Sequence, residues 1–174
     1  ENWALQGPVD YVYRKCLDNP DRNWEGDLDD FYRSGFGKAY LPMKKFYDSM
    51  YKSLALYGGT GRWADLRADA VRVGLGRSPE THYTHFFPPR LLKTMETSLA
   101  QARKLEPEGV VSKRLDFVER GFLYVKDVAT VFHLYRAYLI APNWDTFDLL
   151  AKAIKQRDAR VRGFFKDGGR RAIF

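Results

Sequence analysis

The sequence predicts an all-α fold of about six helices, the last three in antiparallel up-and-down packing. Apolar residues recur at three- and four-residue spacing, most regularly from Arg90 onward, which is the period of one helix face. No stretch has the strict apolar–polar alternation of a strong strand. Proline and glycine fall between the periodic stretches, at Pro20, Gly58-Gly59, Pro107, Pro142 and Gly168-Gly169, where they end helices and start turns.

Residues 1–7 lack an amphipathic period and are expected to be extended or irregular. Gly7-Pro8 then opens a helix, because proline lacks an N–H that the first turn does not need. It runs to about Leu17, with Val9, Val12, Tyr13 and Cys16 on its buried side, until Asn19-Pro20 breaks it. Asn23 or Asp21 caps the next helix, whose first turns carry Glu25, Asp27, Asp29 and Asp30, acids that the helix dipole favours there. Gly35 or Gly37 ends it and Lys38 opens a longer, aromatic helix to Tyr57. Across both helices Phe31, Phe36, Tyr40, Met43, Phe46, Tyr47 and Met50 form an apolar face around which the chain is organised.

Trp63, Leu66, Ala70 and Val73 suggest a helix over residues 62–73, after the Gly58–Gly61 turn. The segment from Gly74 to Pro89 is expected to be a loop packing its aromatics, since prolines flank His82-Tyr83-Thr84-His85. From Arg90 the pattern is plainly helical: Leu91, Leu92, Met95, Leu99 and Ala102 lead to a turn at Pro107 and Gly109. The helix of residues 110–140 is the longest, with Val111, Leu115, Val118, Phe122, Val125, Ala129 and Phe132 on one side. A second row, Phe117, Tyr124, Val128, Val131 and Tyr138, implies burial between neighbours. Asn143 caps the last helix, which carries Phe147, Leu150, Ile154, Val161 and Phe165.

A chain of 174 residues, 45% hydrophobic and 16% aromatic, can bury a real core in a single domain. Its parts are 1–57, 58–89 (an irregular connection) and 90–168 (a bundle of long helices). The net charge of +7 could attract phosphates, acidic membranes or acidic polysaccharides, although charges of both signs alternate along the helices. One cysteine, Cys16, excludes an internal disulfide framework. No run reaches the ~20 apolar residues of a membrane span. Asp27-Leu28-Asp29-Asp30 lacks the spacing of a calcium loop, and His82 with His85 has no further ligand nearby in sequence. No phosphate-binding glycine loop is present. The residues therefore imply no cofactor, no metal and no catalytic group. Glu1-Asn2-Trp3 is an abrupt start, and the chain is read as excised from a larger one.

The order of several elements carries a resemblance. Glu1-Asn2-Trp3, Gly7-Pro8, Tyr11, Asp18-Asn19-Pro20-Asp21, Leu28, Asp30-Phe31, Phe36-Gly37-Lys38-Ala39 and Met43 follow one another over residues 1–57. This run resembles the junction in bacterial glycoside-hydrolase-like proteins related to α-glucuronidases, where a (β/α)8 barrel hands over to a helical C-terminal region. Leu17 stands where that family usually has tryptophan, and Asn19 interrupts its Asp-Pro pair. Phe86-Phe87-Pro88-Pro89, followed by long helices, is again in the family's style.

The resemblance implies that any catalytic carboxylates sit on barrel strands outside these residues. It makes the chain a non-catalytic buttress of that barrel, in a secreted or periplasmic protein of carbohydrate metabolism. Trp3 would then lie at the rim of the sugar site, either stacking on a pyranose face, with Glu1 or Asn2 bonding hydroxyls, or simply packing the entering segment. This reading expects a broad apolar face among the first three helices, and allows a homo-oligomer. The alternative is an independent basic helical module for nucleic acid or acidic polysaccharide. It draws on Lys44-Lys45, Arg157, Arg160, Arg162 and Arg170-Arg171 and expects those side chains on one face, with salt-sensitive binding.

Overall fold

A computed structural model describes residues 3–58 and 79–166, and every regular element in them is helical. The fold is all-α. In order come α1 (Trp3–Asp18), α2 (Trp24–Phe36), a 3₁₀ turn (Gly37–Ala39) and α3 (Tyr40–Gly58). After them come α4 (Pro79–Phe86), α5 (Pro89–Leu105), α6 (Gly109–Ile140) and α7 (Trp144–Lys166). The helix expected at 62–73 lies outside the described residues.

Local chemistry explains the boundaries. Asn23 caps α2, its side chain accepting the Gly26 N–H at 3.2 Å, and Asn143 caps α7 by accepting the Thr146 N–H at 2.8 Å. Gly37 follows α2 at φ +52°, a conformation that costs glycine little and other residues more. Pro79 and Pro89 are the first residues of α4 and α5, and Pro42 lies in the first turn of α3, all positions that tolerate a missing N–H.

Two expectations need correction. Residues 3–7 are helical and Pro8 lies inside α1. A proline there leaves the carbonyl four residues earlier, on Ala4, without its helical donor. The Tyr47 hydroxyl of α3 donates to that carbonyl at 2.7 Å, so a side chain replaces the missing backbone bond. The second correction concerns residues 79–86, which form a helix rather than a loop. Pro79 supplies the preset φ of a first helical position and Glu80 lies in the first turn, and Pro88 follows the bend at Phe87.

The chain divides into two compact units. One takes its described residues from Glu1–Asp48 and Thr94–Phe122, the other from Ser49–Lys93 and Leu123–Ala172. In the first unit α1 packs on α2, and an aromatic cluster forms the centre. Phe31, Tyr32 and Phe36 from α2 meet Tyr47 from α3, with centroids 5.9–6.5 Å apart. Phe46 meets Phe122 of α6 edge-on at 5.6 Å, and Met43, Met95, Leu115 and Val118 are fully buried in the same unit. Burying each such side chain contributes about 1.5–3 kcal/mol, and edge-on aromatic pairs add about 0.5–1.5 kcal/mol.

The second unit combines ring contacts with polar ties. Tyr83 of α4 lies 5.4 Å from Phe132 of α6, and Ser53 of α3 donates to the Phe86 carbonyl at 2.8 Å. Tyr138 of α6 meets Phe147 of α7 at 6.0 Å. Asp127, buried on α6, accepts the Gln156 amide at 3.0 Å and the Arg160 guanidinium, both from α7.

Candidate functional site

The three residues expected at a sugar site fall at the start of α1. Glu1 and Asn2 lie outside the described residues, and of Trp3 only the helical backbone is described. What α1 does present is an apolar stripe. Val9, Tyr13 and Leu17 follow at four-residue spacing and are 52%, 63% and 65% exposed. That spacing aligns the side chains along one side of a helix.

The opposite side of α1 is the buried one. Ala4, Leu5, Gly7 and Pro8 are buried, with Tyr11 and Val12 half-buried. Val9 and Tyr13 thus belong to the exposed side, contrary to expectation. Sequence reasoning began the helix at Pro8 and so lacked Ala4 and Leu5. With them included, the spacing Ala4, Leu5, Pro8, Tyr11, Val12 identifies the packed face. Trp24 at the start of α2 and Leu41 in α3 are also exposed, at 53% and 61%, within the same unit.

The acidic run of α2 is consumed by structure. Arg22 clasps Asp27 through Nε at 2.5 Å and Nη2 at 2.6 Å, which holds the Asp27 carboxyl below its ordinary range. Arg33 donates to Asp29 at 2.6 Å, one turn away. The Tyr11 hydroxyl donates to Asp30 at 2.9 Å, and that bond raises the pKa of the phenol. Three carboxylates with three protein donors tie α2 to the turn before it, to its own next turn and to α1.

The histidines are arranged similarly. His82 stacks on Phe86 at 5.7 Å, one turn along α4. His133 of α6 donates its Nε2 proton to the Phe87 carbonyl at 2.9 Å, consistent with a hydrogen-bonded packing histidine. Burial holds its pKa below the ordinary value, with Arg136 and His85 adding to the effect against the raising pull of the Phe87 bond. Among the described residues no three His, Cys, Asp or Glu side chains converge on a possible metal site, and no helix is long and apolar enough to cross a membrane.

The basic clusters are partly tied internally. Lys44 pairs with Asp48 at 3.3 Å and lies over the Tyr32 ring. Arg157 bonds Asp158 at 2.7 Å, and Arg160 bonds Asp127. Lys45 and Arg162 are exposed, while Arg170 and Arg171 lie outside the described residues. A shallow depression of about 380 Å³ opens on α6, lined by Val110, Lys113, Arg114 and Phe117. Arg114 spends its guanidinium there on the Ser34 and Gly35 carbonyls, at 3.2 and 2.9 Å, satisfying the last turn of α2.

The α1 stripe is the feature with most capacity to act, and what it can do is bind an apolar surface. No protein-family model, no curated protein and no solved structure matches the chain.

Proposed function

We propose that this chain is a non-catalytic helical segment of a carbohydrate-active, glycoside-hydrolase-like protein, buttressing a (β/α)8 catalytic barrel through the outer face of α1. The observation that carries this reading is the exposed stripe of Val9, Tyr13 and Leu17. It supplies the kind of apolar face expected among the first three helices of a buttress, and contiguous apolar surface of this sort marks interaction sites. The run of Glu1-Asn2-Trp3, Gly7-Pro8, Asp30-Phe31 and Phe36-Gly37-Lys38-Ala39 supplies the identity of the covering body, through its likeness to the barrel-proximal junction.

The test begins with the intact mass and reading frame of the natural polypeptide. A (β/α)8-patterned region upstream of Glu1 is expected, and its absence would sink the reading. In that polypeptide, Tyr13→Lys with Leu17→Lys should lower the melting temperature by several degrees. The isolated 174-residue chain, in which both side chains already face water, should melt unchanged. Equal effects in both forms would mean that nothing covers α1. The anionic-partner alternative draws less support, because Lys44, Arg157 and Arg160 already have acidic partners within the chain.

A further inference from the structure

We draw no further inference here: the strongest candidate, the exposed apolar side chains Ile140, Trp144 and Phe147 around the turn between α6 and α7, has nothing in the structure to show what covers it.

Discussion

At the scale of single residues, the connection between Pro8 and Tyr47 is the most informative. Proline removes the N–H that would bond the Ala4 carbonyl, and the Tyr47 hydroxyl bonds it instead. Tyr47 is fully buried, so Tyr47→Phe keeps the ring and leaves a buried carbonyl without its donor. The expected loss is about 1–3 kcal/mol in urea unfolding. Pro8→Ala would restore the backbone donor, so the hydroxyl should matter less in that background. A double-mutant cycle with a coupling energy near zero would show that the two residues act independently. Gly37 offers a second case. Its φ is +52°, and an added Cβ would stand 2.8 Å from the Glu106 carboxylate, which itself accepts the Lys38 N–H at 2.8 Å. Gly37→Ala should therefore cost about 1–3 kcal/mol by the same assay, whereas Gly35→Ala meets open space and should not.

At the scale of elements, the contact between α6 and α7 contains a buried charge. Asp127 is 5% exposed and takes hydrogen bonds from Gln156 and Arg160. Arg160→Met removes the charged partner and leaves Asp127 with the Gln156 amide as its donor among the described residues. Breaking a buried pair costs about 3–5 kcal/mol, and the partial exposure of Arg160, 28%, should bring the loss to about 2–3 kcal/mol. The double variant Asp127→Leu with Arg160→Met should recover most of it, because no uncompensated charge remains. Unfolding midpoints of the single and double variants check both statements.

Elements were legible where the apolar period ran long. Phe31, Phe36, Met43, Phe46, Tyr47 and Met50 are all buried, as are Leu91, Leu92, Met95, Leu99 and Ala102. Leu115, Val118, Phe122, Val125 and Ala129 keep their expected side of α6. Legibility failed in short windows. In α1 the apolar residues lie on two sides, and a start placed at Pro8 left too few turns to choose between them. In α4 the proline at the first helical position suits extended backbone and a helix start alike, so it does not decide between them. The partner of Arg160, Asp127 of α6, could be found only once α6 and α7 had been placed side by side in space. The exposed stripe on α1, the centre of the proposed function, was hidden by the same error of phase.

At the scale of the whole molecule, acidification acts through both net charge and particular sites. A chain at +7 near neutrality becomes more positive as its carboxylates protonate, which strains the compact state. Two sites should stand out from that background. His133 has a folded pKa below its ordinary 6.5, burial being the main cause. Below pH 6.5 the unfolded chain takes up a proton that the folded chain resists. This part of the stability is therefore full above 6.5 and is lost as pH falls toward the lowered folded value. Asp27 is depressed from 3.8 by its bond to Arg22, so its contribution is full above that pH and disappears only as pH falls through the lower folded value. Stability measured from pH 7.5 to 3 should thus fall in two separate stages. His133→Gln keeps an amide donor for the Phe87 carbonyl and cannot titrate, so it should flatten the upper stage and leave the lower one intact. Arg22→Met should do the reverse. If both variants follow the wild-type curve throughout, generalised charge repulsion governs the acid response and the two sites contribute nothing of their own.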